Sequence, residues 1–246
     1  MIKIHTLYFE GKYTPQYIER LYNGLKRHSK VDFEFICYSD TDVVCDKLIP
    51  LPKDTDIQQH WHKMSFFDKE FTGEGEIIVM DIDQVIVSDI TDMLTYPVED
   101  GELVSYHKWW SRNPNALPIN GGWYKFKAGT LDVVWNTYAT DPVHHQEKYW
   151  KNGTVHYKYF GEQNFVYDTC IENGHKVTQM PGHWVAKYDQ EPDLNRSYNV
   201  MYMQNFNEDF MILGDEVNPN IKIVHFANFD NTIHETEDAW VKEHWI

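Results

Sequence analysis

The 246-residue sequence predicts an α/β fold, a single domain with a mainly parallel central sheet flanked by helices. Three observations point there. The chain opens strand-helix-strand. Glu76–Met80 (EIIVM) is a continuous apolar run of the kind covered on both faces in a parallel sheet. No internal repeat or low-complexity linker divides the chain.

Taken in order, Ile2–Tyr8 is apolar and β-rich, a first strand. Thr14-Pro15 offers an N-cap and a proline at the first helical position. Ile18, Leu21, Tyr22 and Leu25 follow at helical spacing and predict a helix over Pro15–His28. Phe33–Tyr38 is a second strand, Ser39–Asp42 its loop, and Val43–Leu51 a third strand closed by Pro50 and Pro52. Lys63–Phe71 reads as a helix ending near Gly73 and Gly75; the apolar strand Glu76–Met80 then delivers Asp81-Ile82-Asp83. Ser88 or Asp89 caps a short helix through Leu94. Further on, Leu103–His107, Trp123–Phe126, Lys176–Met180 and Ile221–His225 read as strands. Leu131–Tyr138 and Gln163–Asn173 read as helices, with Gly174 as a stop. Asp189–Asn220 is polar and carries no assignable pattern.

A net charge of −16 argues against nonspecific nucleic-acid binding and against a polybasic membrane anchor. No apolar run approaches a membrane span and no signal peptide is visible. Cys37, Cys45 and Cys170 fit neither a disulfide framework nor a zinc spacing, so a reducing, cytoplasmic setting is expected. The 15% aromatic content suits stacking on sugars and bases, although most rings in any protein simply pack.

In IIVMDIDQVIV, side chains two apart on a strand point the same way, so Asp81 and Asp83 converge on one ion. Hard divalent cations, Mn²⁺ or Mg²⁺, are commonly shared between carboxylates and substrate phosphates. With 22 Lys+Arg against 38 Asp+Glu, a cation is the natural offset for a diphosphate. Two other readings of the residues stay open. Phosphohydrolases of the haloacid-dehalogenase type also place Asp-x-Asp after an apolar strand, although usually near the start of the fold and not before a glutamine like Gln84. A non-catalytic carbohydrate-binding protein would use a tryptophan-rich surface around Trp109, Trp110 and Trp123.

The stretches KYTPQYIERLYNGLKRH, FICYSD, HWHKMSFF, GEIIVMDIDQVIVSDITDML, INGGWYKFKAG, GEQNFVYD and IKIVHFAN, in that order, resemble GT-A glycosyltransferases. The likeness is strongest to bacterial and viral relatives of the glycogenin-like family 8. The resemblance implies a single Rossmann-like GT-A domain, with residues 1–95 holding a nucleoside-diphosphate sugar and 96–246 the sugar and a glycan or glycoconjugate acceptor. It implies Asp81, Asp83 and His225 as metal ligands. Lys63 would contact the donor phosphate or sugar, and Asp81-Ile82 would lie along the nucleotide. Asn120 and Gly121 would sit beside the donor sugar, with Gly121 and Gly122 letting backbone approach the ligand; an Asn-Gly turn is the competing reading. Glu162 and Gln163 match a catalytic Asp-Gln pair with Glu replacing Asp. Glu162 acts as a general base with a raised pKa if the enzyme inverts, and binds sugar hydroxyls if it retains. Tyr8 or Tyr13 would stack on the base, and Asp40 would take a ring N–H or ribose hydroxyl. The family's glycine and Lys-Pro segment after the late histidine is missing from HFANFDNTIHE. Phosphate charge therefore falls to Lys63, the metal or Lys187, with weak donor affinity expected.

Overall fold

In the computed structural model, which describes residues 1–11, 13–52, 55–107, 117–151, 161–189, 200–202, 220–226 and 233–246, the first strand β1 (Ile2–Tyr8) lies at the heart of a sheet. Helix α1 (Gln16–His28) crosses to β2 (Phe33–Ser39), which pairs parallel with β1 from Ile2↔Phe33 to Tyr8↔Ser39. Tyr17, Ile18, Leu21, Tyr22 and Leu25 bury the apolar face of α1, each side chain contributing about 2 kcal/mol. The expected Thr14 cap is absent: its carbonyl takes the Tyr17 N–H at 3.0 Å, no side chain caps the helix, and Pro15 stands one position before it.

The third strand β3 (Lys47–Pro50) is an edge strand parallel to β2 and shorter than expected. Where a helix was expected over Lys63–Phe71, the chain forms a 3₁₀ segment, Gln59–Phe67, and then one turn of α2 (Lys69–Thr72) capped by Asp68. Every residue from Trp61 to Phe67 is buried, so the segment has no solvent face for an amphipathic stripe.

Strand β4 (Glu76–Met80) pairs parallel with β1 on one side. After the acidic pair comes β5 (Gln84–Ile86), then α3 (Thr91–Leu94), whose Thr91 N–H is taken by Asp89 at 2.9 Å. Ser88, the other candidate cap, donates instead to the Ile221 carbonyl. Strands β6 (Glu102–His107) and β7 (Ile119–Lys127) follow, then α4 (Asp132–Tyr138), α5 (Pro142–Gln146), α6 (Glu162–Glu172) and β8 (Lys176–Met180). The central sheet runs β3-β2-β1-β4-β7-β6-β8, parallel throughout except for β7. The Asn-Gly-Gly stretch lies inside β7 rather than in a turn, because β4 and β6 pair on either side of that strand.

A second sheet was not expected. It comprises β9 (Val185–Asp189), β10 (Val200–Tyr202) and β11 (Ile223–His225) together with β5, in the order β10-β9-β11-β5. The late strand therefore joins β5 and not the central sheet. Helix α7 (Ala239–His244) closes the described chain.

The two faces of β1 and β4 feed two cores. Ile4, Tyr8, Ile78 and Met80 pack toward α1 and the second sheet; Leu7, Ile77 and Val79 pack toward the 3₁₀ segment, α4 and α6. Trp123 is fully buried in the first core, so it forms no part of a surface carbohydrate platform. Trp109 and Trp110 lie outside the described residues, as does most of Asp189–Asn220. Cys37, Cys45 and Cys170 are free, Cys37 and Cys170 buried. Among the described residues no helix is long and apolar enough to cross a membrane.

Candidate active site

A pocket of about 700 Å³ opens at the carboxyl ends of β1 and β4, where ligands bind in parallel α/β sheets. Of the residues singled out from the sequence, Tyr13, Lys63, Asp81, Ile82, Asp83, Asn120, Gly121, Glu162, Gln163 and His225 all line it. Tyr8 and Asp40 do not.

The acidic pair is placed by backbone. β4 carries Asp81 to the pocket, where its N–H donates to the Gly122 carbonyl at 2.9 Å. Three residues on, β5 pairs antiparallel with β11 so that His225 faces Gln84, and the Phe226 N–H donates to the Asp83 carbonyl at 2.8 Å. That pairing brings His225 Nδ1 to 3.8 Å from Asp83 Oδ1, a buried oxygen with no hydrogen-bond partner among the described residues. The other oxygen, Oδ2, accepts from the Tyr13 hydroxyl at 3.1 Å. Burial first, then the Asp83 charge, drives the Tyr13 phenol far above its usual range, so it remains a donor.

Lys63 is not a solvated lysine at a helix start. It is buried, and Nζ meets Asp81 Oδ1 at 2.8 Å, Glu162 Oε1 at 2.6 Å and the Gly121 carbonyl at 3.2 Å. An ammonium has three protons, and three acceptors take them. Burial works to lower the Lys63 pKa, but the two carboxylates outweigh it and keep the charge. Asp81 is pushed up to about 6: burial raises it, Lys63 pulls it down, and repulsion from Asp83 and Glu162 adds to the rise.

Glu162 opens α6. Burial works to raise its pKa, yet Lys63 and His60 prevail and leave it lowered, which corrects the expectation of a raised value. The carboxylate stays ionised and is a correspondingly weaker base. Gln163 accepts from the Gly121 N–H at 2.9 Å, tying α6 to β7. A Cβ on Gly121 would stand 2.9 Å from Glu162 Oε1, and one on Gly122 would collide with the Tyr106 hydroxyl. The two glycines thus serve first to let the protein close on itself. Asn120 spends its carbonyl oxygen on the Gly122 N–H at 2.8 Å.

On the base side, Tyr8 is 1% exposed within the α1 core, its hydroxyl donating to the Tyr13 carbonyl. Alternation explains it: Leu7 and Phe9 share the pocket face, and Tyr8 points the other way. Phe9 is the ring that sequence reasoning missed, although this parity would have found it. Asp40 is exposed and takes the Glu10 N–H with both oxygens at 3.2 Å, so it braces the loop that lines the pocket. His60 and Gln59 were also missed; both line the pocket. The side chain of Lys187 and residues 227–232 lie outside the described residues. Among the described residues, no three His, Cys, Asp or Glu side chains already stand arranged around a metal position, since Asp81 is turned to Lys63.

This architecture is the fold of the GT-A glycosyltransferases. Among solved structures, the galactosyltransferase LgtC in complex with donor and acceptor sugar analogs matches 99% of this chain over 96% of its own, with TM-score 0.59 at 8% identity. An active-site mutant of LgtC matches 96% over 91% of its own chain, with TM-score 0.57 at 7% identity. The glycosyltransferase GlyE of Streptococcus pneumoniae matches 74% of this chain, with TM-score 0.52 at 12% identity, and the match spans about half (45%) of GlyE. No family model matches the sequence, and neither does any curated protein. At such identities the likeness is one of fold.

Proposed function

We propose that the chain is a metal-dependent glycosyltransferase, related to the glycogenin-like family, that moves a sugar from a nucleoside-diphosphate sugar to an acceptor hydroxyl on a glycan or glycoconjugate. The observation that carries this reading is the meeting of Asp83 and His225 beside Asp81 in one pocket. A buried carboxylate oxygen without a hydrogen-bond partner, next to an imidazole and a second acid, suits an oxygen-and-nitrogen donor set for Mn²⁺ or Mg²⁺. Asp81, Asp83 and His225 would hold the ion, which supplies positive charge to offset that developing on a departing diphosphate. The fold shared with a galactosyltransferase solved with donor and acceptor analogs supports the same assignment.

The chain's own residues divide the remaining work. Tyr13 orients Asp83 through its hydroxyl. Lys63 fixes Asp81 and Glu162 at a set separation and pulls both carboxyls toward the ionised form against burial. Phe9, in the loop after β1, offers its ring to the nucleobase. Glu162 and Gln163, at the start of α6, offer acceptors and donors to sugar hydroxyls. Because Lys63 is already committed to carboxylates, the diphosphate depends on the ion for its charge balance, and modest donor affinity without metal follows.

Calorimetry with UDP, GDP and their sugar conjugates, with and without Mn²⁺, tests the reading. At least one nucleotide binds, metal strengthens it tenfold or more, and Asp83→Asn removes the metal effect. Equal binding with and without metal, or none at all, defeats the assignment.

A further inference from the structure

Gln59 adopts φ +48°, the one left-handed backbone at a non-glycine residue among those described. Such a conformation is disfavoured at a residue bearing a Cβ and persists only where surrounding packing imposes it. The next residue is His60, which lines the pocket with Nε2 3.5 Å from Glu162 Oε2. Gly161 makes room for the ring: a Cβ there would lie 3.0 Å from that same nitrogen. The Glu162 carboxylate is thereby divided, Oε1 to Lys63 at 2.6 Å and Oε2 toward His60.

A separation of 3.5 Å is too long for a strong hydrogen bond between the two groups. It suits a third group set against both, one that donates to the carboxylate and accepts from the imidazole N–H. A sugar hydroxyl does both at once; an anionic oxygen does not. The His60 side chain is 32% exposed and that of Glu162 8%, so the pair opens to the pocket while its carboxylate stays poorly hydrated. The charge balance points the same way. Glu10, Asp81, Asp83 and Glu162 line the pocket, and among the described lining residues Lys63 is the lone Lys or Arg, its three protons already directed at acceptors.

We propose that His60 and Glu162 together seat the acceptor hydroxyl, and that this seat takes an uncharged saccharide in preference to one carrying phosphate, sulfate or carboxylate. The inference rests on the glycosyltransferase reading and deepens it. His60 acts here as a positioning and specificity residue. Burial lowers its pKa against the pull of Glu162, so at neutral pH the ring is neutral and carries one N–H.

The test uses the full chain labelled with ¹⁵N-histidine and loaded with UDP or GDP and Mg²⁺. It is titrated with methyl galactoside and methyl glucoside, and separately with methyl glucuronide and glucose 6-phosphate. The His60 imidazole signal is identified by its loss in His60→Gln. The neutral glycosides are expected to shift that signal and to bind at least tenfold more tightly than the anionic ones. His60→Gln weakens them about tenfold, with nucleotide affinity held within twofold. Gly161→Ala, which displaces the ring without altering either partner, weakens them in parallel. Saccharide binding that leaves the His60 signal unmoved, equal binding of anionic glycosides, or nucleotide binding with no saccharide binding overturns the proposal. Failure to bind any nucleotide removes the glycosyltransferase reading itself, and this proposal with it.

Discussion

Lys63→Met removes a buried cation from between two carboxylates while keeping its length and apolar stem. Asp81, already raised to about 6 and 31% exposed on its side chain, takes up a proton or water most readily, so its share of the loss is the smaller. Glu162, at 8%, does not, and it sets the cost. Stranding one member of a buried pair destabilises by about 3–5 kcal/mol. For a chain of this size that is a fall of roughly 6–20 °C in Tm. The effect depends on pH with a definite sign. The folded pKa of Glu162 is lowered, so the stability it confers in the wild type is present above its unfolded value and lost as pH falls toward the folded one. In the variant the stranded acids take up protons instead, and the gap between the two proteins narrows below about pH 5. Urea unfolding at pH 7.5 and pH 5 measures both effects, and the double variant Lys63→Met with Glu162→Gln recovers about half of the loss. A single-variant cost under about 1 kcal/mol at pH 7.5, or a double variant no better than the single, refutes the picture of a lysine bridging two acids.

Three further outcomes follow from the same geometry. His5 is 1% exposed, both ring nitrogens lack a hydrogen-bond partner among the described residues, and burial then Lys3 and Lys47 push its pKa down to about 3. The fold therefore excludes the proton that the unfolded chain accepts below about pH 6.5. Stability falls by about 1.4 kcal/mol between about pH 7.5 and 5.5 from this group alone, and chemical denaturation of His5→Leu shows that component gone. Gly122→Ala forces a methyl against the Tyr106 hydroxyl and within 2.8 Å of Asn120 Oδ1; a loss of about 1–3 kcal/mol in urea unfolding is expected, with no gain at any pH. Tyr13→Phe deletes the hydroxyl that orients Asp83, and Mn²⁺ affinity, read as free ion by electron paramagnetic resonance, drops about tenfold or more.

The strands Ile2–Tyr8, Glu76–Met80 and Lys176–Met180 were legible to the residue because each is a bounded, β-rich run whose pattern is local. β5 was not. Three residues after a polar pair carry no periodicity, and the strand exists only because β11 arrives from the far end of the chain to pair with it. Tertiary pairing also overrode turn chemistry at Asn120-Gly121, and complete burial overrode helical spacing at Lys63. For the site, strand spacing picked out Asp81 and Asp83 and the resemblance added His225, and the structure places all three along one pocket. What Lys63 touches was invisible, since a sequence cannot say that two acids 81 residues apart (162 − 81) share one ammonium. Tyr8 was misplaced for want of strand parity, and His60 went unnoticed because the backbone turn that aims it has no compositional signature.

The ladder between β5 and β11 also bears on how the protein matures. A nascent chain emerging from the ribosome can assemble β1, β2 and β4 early, since their pairings span fewer than half its residues. Asp83 meanwhile waits beside an unfilled sheet edge until synthesis reaches His225. Chains released before β11 would carry the core around the 3₁₀ segment, α4 and α6, a first core still lacking Ile223, Val224 and Trp240, and an exposed edge at β5. Such products are candidates for aggregation or proteolysis.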